Sequence, residues 1–150
     1  MSAEDDPTSV YKDNAASIPD AAELLRRVHP AFVVWESSGP RVTSQAFQDY
    51  PLEAARRLGL PSPAMSVALL AILQAAGHSA QKLLEMADHH YGVVALSAAM
   101  LRSLGEGVML WPTEAEPWHG IVFVIGGEKR RRSVRVAIAD AARWVILPQR

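Results

Sequence analysis

The sequence predicts an α+β fold: one domain over residues 18–150, with a mixed or mainly antiparallel sheet of four or five strands covered by helices. Three observations carry that reading. The run Ile121-Val-Phe-Val-Ile125 is apolar, rich in β-branched residues, and framed by Pro117-Trp-His-Gly120 and Gly126-Gly127, which is the pattern of a buried strand. Other segments carry helix-spaced apolar faces between capping and stopping residues. Hydrophobic residues make up 49% and charged residues 21% of 150, enough to build a core of ordinary size.

Residues 1 to about 17 read as a disordered acidic tail, with little apolar surface to offset ordering entropy. Pro19-Asp20 opens a predicted helix through Leu24, Leu25 and Val28, with Arg26 and Arg27 in its last turn; His29-Pro30 ends it. Ala31–Trp35 reads as a strand. The turn 36–40 joins it to a second strand, Arg41–Phe47, as a hairpin. A short helix covers Leu52–Leu60. Ser66 is placed as the N-cap of a helix through Leu73 that Gly77 stops, and Ser79 caps another, Ala80–Ala87. Val93–Leu96 is a short strand. Ser97 caps a helix, Ala98–Leu104, closed by Gly105. Gly107–Trp111 is a strand that pairs with the 121–125 run across a loop of about six residues. Residues 131–146 fit both a strand and a helix; the alanines at 137, 139, 141 and 142 favour a helix throughout.

Composition excludes several classes. With no cysteine there are no disulfides, thiolate nucleophiles or cysteine-held metals. No stretch approaches the roughly 18 apolar residues of a membrane span, and no secretory leader opens the chain, so a cytoplasmic location without membrane contact is expected. P-loop, Gly-x-Gly-x-x-Gly, His-Glu-x-x-His and EF-hand patterns are absent, so no cofactor is expected. Charge is segregated: residues 121–150 carry seven basic and two acidic side chains, although the whole chain is at −1.

Candidate site residues follow from chemistry. His119, between Trp118 and Gly120 at the mouth of a strand, suits an acid/base role, and Trp118 suits a pocket wall. His29, read at a helix end, is a second acid/base candidate; the two imidazoles facing one cleft would make a base and an acid. Ser44, in Thr43-Ser-Gln45, is a candidate nucleophile without a nucleophile-elbow context. Arg26 and the cluster Lys129, Arg130, Arg131, Arg132 and Arg135 are candidate phosphate or nucleic-acid contacts. Asp88-His-His90 lacks the spacing that turns two rings to one metal, so no metal site is expected.

The blocks LLRRVHP (24–30), TSQAF (43–47), MSV (65–67), PWHGIV (117–122) and RWVI (143–146) together resemble a group of small uncharacterised bacterial proteins. That resemblance spans most of residues 18–146 and implies no activity. It marks Arg26, His29, Ser44 and His119.

Three functions fit these residues. The first is a binding or interaction module of a bacterial multi-protein system, with another protein as partner. The second is a metal-independent transferase or nuclease-like enzyme on a phosphodiester or nucleotide, using His29 and His119. The third is nucleic-acid binding through residues 129–135.

Overall fold

The computed structural model describes residues 13–14, 17–85, 87 and 90–150. Most of the predicted acidic tail, and Asp88 and His89, lie outside the described residues. Its fold is α+β, with four α-helices and eight strands among the described residues. Six strands form one antiparallel sheet in the order β6-β7-β4-β1-β5-β8, and β2 and β3 form a separate hairpin. The sheet is therefore larger than the four or five strands expected.

The two middle strands are the segments read as helix. Strand β1 is Glu23–Val28 and β4 is Met65–Leu69. Both are buried on both faces, and a strand buried on both faces loses the polar–apolar alternation that identifies it. Leu24 and Val28 point to one side and Leu25 to the other, an arrangement no single helix face provides. Ser66 thus sits inside a strand and caps nothing. The helix expected after it is shortened to α2, Leu70–Ala75. The expected helix at 80–87 is a 3-10 turn, Ala80–Leu84.

Elsewhere the local signals match. Strands β2 (Val33–Glu36) and β3 (Gly39–Val42) form the expected hairpin, and Gly39 takes the φ of +120° that its turn requires. Ser44 falls beyond that hairpin, in a 3-10 turn, Ser44–Phe47. Helix α1 is Leu52–Leu58. Strand β5 is Gly92–Ser97, and Ser97 Oγ accepts the Met100 amide at 3.0 Å to cap α3, Ala98–Ser103. Strands β6 (Glu106–Leu110) and β7 (His119–Val124) pair antiparallel. The ambiguous C-terminal segment is both things in turn: α4 is Arg132–Ala141 and β8 is Arg143–Ile146.

One face of the sheet carries Leu24, Val28, Met65, Val67, Val94, Leu96, Val108 and Val122. Phe47, Leu101 and Ile138, from the 3-10 turn, α3 and α4, cover it. The opposite face is split. Leu25, Ala68, Val93 and Ala95 lie under α2 and the 80–84 turn, whereas Ile121 and Phe123 pack against Ala64, Met109 and Trp111.

The first described residues are tied down rather than loose. The Asn14 amide donates to Val108 O on the outer strand β6 at 2.7 Å, and Asp13 receives two guanidinium nitrogens of Arg102 at 2.8 and 2.9 Å. Asp13 thus meets Arg102, and its hydrogen bonds hold the guanidinium above the usual arginine pKa.

Candidate functional site

The central ladder is incomplete, and this creates the site. β1 pairs with β5 over six residues, but with β4 only at Leu24↔Leu69 and Leu25↔Ala68. Beyond Leu25 the two strands part, leaving backbone carbonyls without their usual donors. Arg26 fills that split. Its Nη1 donates to Ser66 O at 2.6 Å, its Nε to Ala46 O at 2.7 Å and its Nη2 to Gln48 O at 3.5 Å. All three acceptors are neutral carbonyls, and among the described residues no carboxylate forms an ion pair with the cation. Burial pushes its pKa down to about 10, with Tyr50 acting in the opposite direction. At neutral pH it remains charged, and it adds a positive field to whatever lies beside it.

Beside it is a three-side-chain cluster. β4 and β7 pair at Ser66↔Ile121 and Ala68↔His119, so Ser66 and His119 are diagonal neighbours on one face. Ser66 Oγ is 2.6 Å from His119 Nε2. The other ring nitrogen, Nδ1, is 2.8 Å from Trp111 O. A carbonyl only accepts, so Nδ1 carries the ring proton and Nε2 is left as the acceptor for the Ser66 hydroxyl. The Tyr50 hydroxyl lies 3.5 Å from the same Nε2 and also contacts Ser66. Burial raises the Tyr50 pKa, which keeps the phenol protonated and able to donate. A hydroxyl, a base with a fixed tautomer, and a carbonyl that orients the base are the parts of an activated nucleophile.

Four of the five sequence blocks that carried the resemblance meet here. Arg26 touches Ala46 and Ser66, and Ser66 touches His119. The fifth, Arg143–Ile146, is strand β8 on the far edge of the sheet.

The remaining candidates are dispersed. His29 follows a strand rather than a helix, and its Nδ1 accepts the Ala31 amide at 2.9 Å to start a 3-10 turn. Its ring meets Phe32 and Tyr91, whereas the His119 ring on β7, two strands away from β1 in the sheet, is bonded to Ser66 and Trp111. The structure therefore does not bring His29 and His119 together. His29 instead lines an open cleft of about 660 Å3 with Pro30, Trp35, Tyr91 and Arg150. Ser44 borders a smaller hollow of about 430 Å3 with Arg41, Arg132 and Asp140. Trp118 is buried in the core with its ring edge-on to His78 at 5.3 Å, and it lines neither cavity.

The basic run does not form one surface. Lys129, Arg131 and Arg132 are exposed and Arg135 is half-buried. Arg130 points inward, its side chain fully buried. Its Nε donates to Glu106 Oε1 at 2.7 Å and its Nη1 to Asp49 Oδ1 at 2.8 Å, and its remaining donors reach Phe47 O, Val122 O and Glu106 again. That guanidinium is saturated and unavailable to a ligand.

Sequence reasoning missed Ser66, Tyr50, Glu106 and Asp49. Ser66 was hidden because a serine before an apolar run reads as an N-cap. The available signal for Glu106 was a lone acid inside an apolar strand, which needs a buried cation as partner. Among the described residues, no three His, Asp or Glu side chains are grouped as metal ligands, and no helix is long and apolar enough to cross a membrane.

The chain matches no family model, no curated protein and no solved structure.

Proposed function

We propose that the protein is an enzyme acting on an anionic ester, of the phosphodiester or nucleotide class, at the split between β1 and β4. The observation that carries this reading is the Ser66–His119–Trp111 carbonyl chain set beside a half-buried cation that, among the described residues, forms no ion pair with a carboxylate. In the proposed step, Ser66 Oγ attacks phosphorus while its proton passes to His119 Nε2. The bond from phosphorus to the leaving oxygen breaks, and the proton on Nε2 is delivered to that oxygen; water then attacks the phosphoseryl phosphorus, its proton passes to Nε2, and the bond from phosphorus to Ser66 Oγ breaks as Oγ takes that proton back. Tyr50 donates a hydrogen bond to charge developing on the phosphoryl group. Arg26 is a positioning residue: it holds the Ser66 strand through its bonds to carbonyls and adds its positive field.

Support for this reading over the earlier pairing is geometric, because His119 already has a hydroxyl partner whereas His29 lines a cleft that does not include His119. The test is turnover of bis(p-nitrophenyl) phosphate and of a nucleotide phosphodiester by the wild-type chain, Ser66→Ala and His119→Asn. Each substitution should cost about 100-fold or more in kcat/KM, as loss of a nucleophile or general base does. Tyr50→Phe should cost less. Equal rates in wild type and Ser66→Ala, or no turnover by the folded wild type, sinks the proposal. The second of these returns the protein to the interaction-module reading, for which exposed Lys129, Arg131 and Arg132 supply a charged contact surface.

A further inference from the structure

We infer that the cleft formed by His29, Trp35, Tyr91, His90, Gln149 and Arg150 is a binding site for a planar aromatic anion of nucleotide size. The inference does not depend on the chemistry proposed for His119. The cleft joins the end of β1, strand β2, the start of β5 and the segment after β8, so its walls come from four separated parts of the chain. Its volume of about 660 Å3 lies within the range of small-molecule sites.

The lining selects the ligand. Trp35, Tyr91, His29 and His90 present four rings to one space. The Tyr91 ring stands edge-on to His29 at 5.0 Å, which fixes both planes. The Arg150 guanidinium lies 4.9 Å over the Trp35 ring, held by a cation–π contact. No Asp or Glu side chain is among the described lining residues. His29 accepts the Ala31 amide on Nδ1, so its neutral ring carries the proton on Nε2 and offers a donor. Gln149 is fixed from both sides, its carbonyl 3.2 Å from His90 Nδ1 and its amide donating to His90 O at 3.1 Å. The space therefore combines stacking surface with a cationic and a neutral donor. A ring stacks on Tyr91 while an acidic substituent meets Arg150 and His29. An apolar ligand would leave these donors unused, and a simple inorganic anion would leave the rings uncovered.

The test is titration followed by tryptophan fluorescence and calorimetry, with AMP and 1-naphthyl phosphate as aromatic anions, and adenosine and inorganic phosphate as the two separated halves. At least one aromatic anion should bind about tenfold or more tighter than either half, the scale of one good stacking contact. Trp35→Ala and Tyr91→Ala should each weaken it by a similar factor, whereas Ser66→Ala should leave it unchanged. Three results overturn the inference: no binding of either aromatic anion, phosphate alone binding as tightly, or binding lost in Ser66→Ala but kept in Tyr91→Ala. That last pattern would place the ligand at the His119 cluster instead. Circular dichroism confirms that the variants are folded before titration.

Discussion

Replacing Arg130 by methionine tests whether the core is organised around one buried charge. Methionine keeps much of the length and removes the charge and all five donors. The change leaves Glu106 in the core without a counter-ion, together with the carbonyls of Phe47 and Val122. Glu106 is fully buried, and its Oε2 has no hydrogen-bond partner among the described residues. Asp49 is partly exposed and keeps some water, so it adds less. Glu106 will neutralise rather than stay charged and unpaired. From its ordinary value of 4.5, taking up a proton at pH 7 costs about 3 kcal/mol at about 1.36 kcal/mol per pH unit. The two orphaned carbonyls add about 1 kcal/mol each. The expected loss is then at most about 5 kcal/mol at pH 7, because burial already raises the Glu106 carboxyl in the wild type, and it lies near the top of the usual range for breaking a buried pair.

The pH signature separates this account from simple repacking. In the variant, the folded-state pKa of Glu106 lies above its unfolded value, so the folded chain binds the extra proton. Stability falls as pH rises above about 4.5 and recovers toward acid. At pH 5 the protonation cost shrinks below about 1 kcal/mol, leaving a loss of about 2–3 kcal/mol. Urea unfolding of wild type and variant at pH 5 and pH 7 measures both numbers. A loss that is the same at the two pH values, or below about 1 kcal/mol at pH 7, would refute the reasoning.

Three further outcomes follow from the same structure. Glu106→Gln should flatten the wild-type pH dependence just above 4.5, because burial outweighs Arg130 and raises the carboxyl; urea midpoints across pH 4–7 show whether it does. Gly92→Ala places a Cβ 2.6 Å from the Trp144 ring and 3.1 Å from Ile146 O, so it should detach β8 and expose the Val93 and Ala95 amides to hydrogen exchange; exchange unchanged along β5 counts against the packing described. Asp13→Asn should destabilise by about 1 kcal/mol or more and Asp20→Asn by much less, since Asp13 is 22% exposed and doubly bonded to Arg102 whereas Asp20 is 74% exposed; thermal midpoints in low and high salt rank them.

What the sequence reveals about this fold depends on how many of a segment's partners are nearby. The β2–β3 hairpin, the Ser97 cap and the β6–β7 pair are decided within a few tens of residues, and all three are legible. β1 is not, because Glu23-Leu-Leu-Arg-Arg-Val28 has good helix formers, and only β4 and β5, from 40 to 70 residues away, make it a strand. The same distance hides the site. His119 is visible as an imidazole at a strand mouth, but Ser66, its partner, is recognisable only once β4 is known to be a strand running beside β7. Arg130 looks like its exposed neighbours because nothing local marks one arginine of four for burial. The C-terminal segment was ambiguous for a physical reason: it contains a helix and then a strand, and neither period holds over its whole length.

The strand order has a consequence for how the chain assembles. Of the five contacts within the six-stranded sheet, only β6–β7 joins strands adjacent in sequence, and β5 receives its second neighbour from residues 143–146. Such non-local pairing means high contact order, so loop-closure entropy must be overcome before most of the sheet is rewarded with contacts. Folding is expected on the slower side for a chain of this length. On the ribosome, the two middle strands emerge early and wait with unpaired edges until β5 and β7 arrive. Arg26 and Arg27 on β1 place charge on one of those waiting edges, a feature that disfavours pairing with another copy of the chain.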